Sequence, residues 1–136
     1  VEKTTFDVSA WPVLLVKVPP SPVSTAQFRE RLDTISSFYE RGRLGLVIDV
    51  RGAGTITAAE RRLLAERFDD DVARFPDRVA CVGIVLESSV QRGILKAVSW
   101  LTSSPFEREA FSDVDTAKKW AHDWAIAVPL SRREAR

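Results

Sequence analysis

The sequence predicts an α/β fold in which short buried strands alternate with amphipathic helices. Two observations carry this. The runs Leu44 to Val50 (LGLVIDV) and Val79 to Leu86 (VACVGIVL) are apolar almost throughout, as parallel strands covered on both faces must be. Pairs with helix-capping spacing follow the apolar runs: Ser24 with Gln27, Thr57 with Glu60, Ser88 with Gln91, and Ser112 with Asp115. The expected order is ββαβαβαβα, a mixed, mostly parallel sheet with helices packed on it.

Taken in order, Lys3 to Ala10 (KTTFDVSA) alternates at Thr4, Phe6 and Val8 as a strand does, and Val13 to Val18 (VLLVKV) reads as a second strand. The short Trp11-Pro12 link makes these two antiparallel neighbours. After Pro19, Pro20 and Pro22, a helix is predicted from about Thr25 to Arg41, with Phe28, Leu32, Ile35 and Tyr39 inward and Gly42 at its C-terminal end. The second helix begins at Thr57, turns Leu64, Phe68, Val72 and Phe75 inward, and closes at Pro76. A third is expected after Ser88, with Val90, Ile94, Val98 and Leu101 on its core face. Arg108 to Phe111 forms a short last strand, and Ser112 opens a last helix through about Ala127. Residues 1–128 make one folded unit, and 129–136 a basic tail predicted to be disordered.

A chain of 136 residues buries roughly 68% of its unfolded surface, enough for one core. Twenty basic and nineteen acidic side chains leave a net charge of +1, which gives no overall footprint for nucleic acid. One cysteine excludes an internal disulfide. The longest apolar run is too short to span a bilayer, and no signal-peptide pattern opens the chain. These features point to a cytoplasmic protein without membrane insertion. Methionine is absent even at position 1, so either the initiator was removed or the chain is a piece of a longer protein.

Catalytic equipment is sparse. One histidine and one cysteine cannot supply the ligands of a zinc site, so no metal and no cofactor is expected. His122, between Trp120 and Trp124, reads as a surface or half-buried packing residue, and Cys81 as a small hydrophobe. Asp69, Asp70 and Asp71 lie among Arg67 and Arg74 and read as a solvated helix face. Gly52 and Gly54 follow a strand and precede a helix, yet the third glycine of a dinucleotide fingerprint and the lysine of a P-loop are missing. They read as turn glycines. Asp49 and Arg51 flank that turn at the strand's carboxyl end, where open α/β sheets present functional groups. Asp49 is expected to accept hydrogen bonds from loop amides.

The segment VIDVRGAGTITAAERRLL, within Leu46 to Leu64, resembles the signature of the STAS family (sulfate-transporter and anti-sigma-factor-antagonist domains). The element order resembles the wider SpoIIAA-like group, and SSVQRGILKAVSWLTSSPFEREAFSDVDTAKKWA is similar to its bacterial STAS/Sec14-like branch. The resemblance covers about Trp11 to Trp124. In phosphoregulated members an Asp-Ser pair at this helix start carries the phosphorylated serine; here Thr57 stands over that Asp and Ala58 over that serine. The standard acceptor is missing, and Thr55 and Thr57 become the candidate phosphoacceptors.

The resemblance implies a non-catalytic protein-interaction module in a bacterial regulatory pathway. Its contact loop would be Asp49, Arg51, Gly52, Gly54, Thr55 and Thr57, with secondary contacts at Ser88, Ser89, Arg92, Leu95 and Trp100. The last two could also build a homodimer face. The alternative is a small-molecule or lipid-binding domain, which needs a large cavity beside the third helix. An enzyme would need a cleft with perturbed charged groups, for example Asp49 beside Arg51.

Overall fold

The computed structural model describes residues 3–20, 23–53, 56–88, 92–93, 96 and 106–127. The protein is an α/β fold built on a five-stranded sheet: β1 (Thr5–Asp7), β2 (Val13–Lys17), β3 (Leu44–Asp49), β4 (Val79–Val85) and β5 (Glu107–Phe111). The strands lie side by side in chain order. The β1–β2 pair is antiparallel, as the short Trp11-Pro12 link requires, and the remaining pairs are parallel. Among the described residues three helices pack on the sheet: α1 (Thr25–Phe38), α2 (Ala58–Arg74) and α3 (Val114–Ile126). The third helix expected from the sequence lies outside the described residues except at Arg92, Gly93 and Lys96. Arg92 and Gly93 are helical, and the Arg92 N–H reaches the Ser88 carbonyl at 3.2 Å.

The helices start where their caps predict. Ser24 Oγ accepts from the Gln27 N–H at 3.1 Å while Gln27 Oε1 accepts from the Ser24 N–H at 2.9 Å. Thr57 and Glu60 form the same reciprocal pair. At α3 the cap falls one residue later than expected. Asp113, not Ser112, accepts from the Thr116 N–H at 2.8 Å, and a carboxylate there also favours the positive end of the helix dipole. The first helix ends early as well. It is α-helical to Phe38, tightens into a 3-10 turn over Tyr39–Arg41, and stops at Gly42, whose φ of 144° suits only glycine.

Both sheet faces are covered, which explains why all six residues of β3 are buried. On one face Leu14, Val16, Leu46, Ile48, Val82 and Ile84 meet Ile35 and Tyr39 from the first helical segment and Ala65 and Phe68 from α2. Each fully buried side chain of this size contributes about 1.5–3 kcal/mol. On the other face Val13, Val47, Cys81 and Val85 meet Ala117, Ala121 and Ala125 of α3. These alanines recur every four residues and let α3 lie almost against the backbone. A Cβ placed on Gly45 would stand 2.5 Å from the Ala121 carbonyl oxygen.

In α2, Phe68 is buried and Leu64, Val72 and Phe75 pack half-buried against the same core, with Ala65 and Asp71 buried beside Phe68. Asp71 is 1% exposed, so the acidic run is not a solvated face throughout. Its Oδ2 accepts from Ser36 Oγ of α1 at 3.1 Å. Arg67 Nη1 donates to the same hydroxyl at 3.2 Å and pairs through Nη2 with Asp33 at 2.6 Å. A polar seam therefore runs between α1 and α2.

Candidate functional site

Parallel strands that end together bring their following loops to one edge, where side chains of different loops meet. At the end of β3 the Asp49 carbonyl accepts from the Val18 N–H at 3.0 Å, and the Val50 N–H donates to Val85 at 3.1 Å. The chain then turns sharply, closed by the Ala53 N–H on the Val50 carbonyl at 3.0 Å. Gly52 occupies the third position of this turn with φ 81°, a positive value that L side chains rarely adopt. Nothing lies within 4 Å of a Cβ built there. Glycine is required by the backbone conformation and not by crowding.

Asp49 and Arg51 clasp this turn. Arg51 Nε donates to Asp49 Oδ1 at 3.0 Å, Nη2 to Oδ2 at 3.0 Å, and the Arg51 amide to Oδ1 at 3.1 Å. Asp49 thus accepts the loop amide expected of it. Burial works against its charge, but the hydrogen bonds and charge of Arg51 outweigh that and hold the carboxyl below its usual value. Both carboxylate oxygens are engaged, while the guanidinium side remains 40% exposed.

A second fastening joins this turn to the end of β4. The Gly52 N–H donates to Glu87 Oε1 at 2.6 Å. Glu87 and Asp113 also act electrostatically on Arg51, so carboxylates from the end of β3 and from the loops after β4 and β5 act on one guanidinium. Lys17 at the end of β2 also acts electrostatically on Asp49. Asp113 is itself held below the usual carboxylate range by the Thr116 backbone and side chain.

Of the residues singled out in the sequence, Asp49, Arg51 and Gly52 come together as one unit. Glu87, immediately before Ser88, is bonded to this unit through the Gly52 N–H. Ser88 and Arg92 are exposed. Thr57 is exposed at the start of α2, with Oγ1 accepting the Glu60 N–H at 3.0 Å. Gly54, Thr55, Ser89, Leu95 and Trp100 lie outside the described residues. Sequence reasoning passed over Lys17, Glu87 and Asp113. A signal existed for Glu87, the first charged residue after a buried parallel strand and therefore at the same sheet edge as Asp49 and Arg51.

Two other candidates behave as bystanders here. Cys81 is fully buried, its thiol pushed up to about 12 by burial, with Sγ 3.8 Å from the Ala121 carbonyl. His122 is exposed on α3. Among the described residues no cluster of three or more metal-ligating side chains occurs, and no helix is long and apolar enough to cross a membrane.

Comparison with family models, with curated proteins and with solved structures finds no match for this chain. Its fold and loop edge define an α/β protein with a mixed, mostly parallel sheet and a charged, internally cross-linked edge.

Proposed function

We propose that the chain is a non-catalytic protein-interaction module of STAS/SpoIIAA-like type, serving a bacterial regulatory pathway in the cytoplasm and binding its partner at the carboxyl edge of the sheet. The observation that carries this reading is the Gly52 N–H bond to Glu87 beside the Asp49–Arg51 clasp. Together they fasten two loops into one pre-ordered, exposed surface, and pre-ordering lowers the entropic cost of binding a partner. The non-catalytic reading is consistent with the clasp: Arg51 bonds both oxygens of Asp49 and holds its carboxyl below the usual value, which makes it a weak base.

Thr57 extends the surface onto the first turn of α2. As a phosphoacceptor it would exchange its cap bond for a phosphate at the positive end of the helix, which suits an anion. Partner binding and modification would then compete at one place.

The test is affinity capture from the native organism with wild-type protein, Arg51→Glu, and Asp123→Lys on the exposed face of α3. One protein should be enriched by wild type and Asp123→Lys, and lost with Arg51→Glu. Enrichment that ignores the Arg51 change places the contact elsewhere. No specific enrichment with any of the three defeats the interaction reading.

A further inference from the structure

The seam between α1 and α2 holds a carboxylate with too few partners. Asp71 is 1% exposed. Its Oδ2 receives one hydrogen bond, from Ser36 Oγ, and its Oδ1 has no partner among the described residues. The neighbouring cations are engaged elsewhere. Arg67 pairs with Asp33 and donates to Ser36 Oγ, and Arg74 stacks over the Phe75 ring at 5.3 Å. Asp70 adds a like charge from the same helix. From the 3-10 turn, Tyr39 presents a buried hydroxyl that also has no partner among the described residues and interacts electrostatically with Asp71. Arg78, which donates to the Tyr39 carbonyl at 2.7 Å, binds the backbone of that turn. A buried carboxylate with one donor is poorly compensated, and such groups take a proton in place of holding the charge.

We propose that this seam is a proton-sensitive joint: Asp71 holds a proton while α2 is seated against α1, and its ionisation loosens α2 against α1. Burial, opposed by Ser36, Arg67 and Arg74, moves the carboxyl up to about 6 from an ordinary 3.8. The sign follows from linkage. The folded state holds this proton more tightly than the unfolded state, so stability rises as pH falls from about 6 toward 3.8 and is lost as pH rises through that window. Thr57 caps the start of α2 five residues after Gly52, so the joint lies on the helix that follows the loop edge. The joint is a property of the seam and stands whether or not that edge binds a protein.

The experiment follows the Asp71 carboxyl carbon by NMR in the whole chain, with amide exchange of α1 and α2 measured at about pH 5.5 and about pH 7.5. The expected midpoint lies within about one unit of 6. Amides around Ser36 and Asp71 should exchange several-fold faster at the higher pH after correction for intrinsic rates, and Asp71→Asn should remove that difference. Titration of Asp71 in the ordinary carboxylate range, or the same pH dependence in Asp71→Asn, overturns the proposal. Ser36→Ala provides an independent arm. Removing the single donor must raise the midpoint, and a midpoint that stays or falls also overturns it.

Discussion

Arg51 closes on Asp49, two residues earlier, with Nε on Oδ1 and Nη2 on Oδ2, both at 3.0 Å. A forked contact between neighbours in sequence fixes the direction of the chain as it leaves the sheet, because neither side chain can turn without breaking two bonds. One end of the fork is buried and the other is open to solvent. The pair is therefore a structural clasp whose outer surface remains available for contact.

Removing the buried half should be the costlier change. Asp49→Ala leaves the Arg51 amide and the turn without their acceptor and should cost about 1–3 kcal/mol in denaturant unfolding at neutral pH. Arg51→Ala should cost less at its exposed end. Asp49 sits below the ordinary carboxylate value, so its contribution is complete above about pH 4 and lost as pH falls through the lower folded value. Asp49→Asn should therefore flatten the acid limb of a stability–pH curve measured below about pH 4. An unchanged acid limb would show that the clasp carries no linked stability.

Glycines at two positions should respond in opposite directions to alanine. At Gly45 the new Cβ meets the Ala121 carbonyl oxygen at 2.5 Å and Ala121 Cβ at 2.9 Å, and neither can swing away. Gly45→Ala should destabilise by about 1–3 kcal/mol or more, as overpacking does. At Gly93 the built Cβ meets nothing within 4 Å, and the residue is helical. Gly93→Ala should stabilise by up to about 1 kcal/mol through helix propensity. Urea melts of the two variants check both signs, and equal effects would contradict the close approach of α3 to β3.

The strands, their order and the cap-driven starts of α1 and α2 were legible because local signals agree with the global layout. The buried run LGLVIDV requires cover on both faces, and the structure supplies it. The Asp71 seam was missed for an identifiable reason. Asp71 is seven residues after Leu64 and three after Phe68, so helical spacing places it on the inward stripe. By composition the run Asp69 to Asp71 reads as a solvated face, and position on the helix decides otherwise for Asp71. Asp49 and Asp71 are both buried, yet their shifts oppose each other because one has a guanidinium on both oxygens and the other a single hydroxyl. Residue type alone cannot distinguish such environments; only the partners brought by the fold can.

The two capping boxes allow a matched comparison. Ser24 and Thr57 each accept from the third amide of their helix, at 3.1 and 3.0 Å. Ser24→Ala and Thr57→Ala should each cost about 1 kcal/mol in thermal or urea unfolding. The caps serve different helices and share no partner, so the double variant should lose about the sum within roughly 0.5 kcal/mol. Thr57→Ser should retain most of the stability, since the capping oxygen remains. A large loss in Thr57→Ser would point to a role for the threonine methyl that the cap does not explain.

Cys81 supplies a probe of the whole fold. It lies at 0% exposure between β3, β5 and α3, with its thiol pushed up to about 12 by burial. A thiol reagent near neutral pH meets neither access nor a thiolate in the folded state. Labelling should therefore proceed only from an opened state, and its rate should fall with the same stability that urea unfolding measures. Gly45→Ala, which pushes α3 away from the sheet, should accelerate labelling more than Ser24→Ala on the opposite face, even at matched global stability. Equal acceleration would mean that Cys81 is reached only by complete unfolding. Labelling of the wild type at the rate of a free thiol would contradict its burial beneath Ala121.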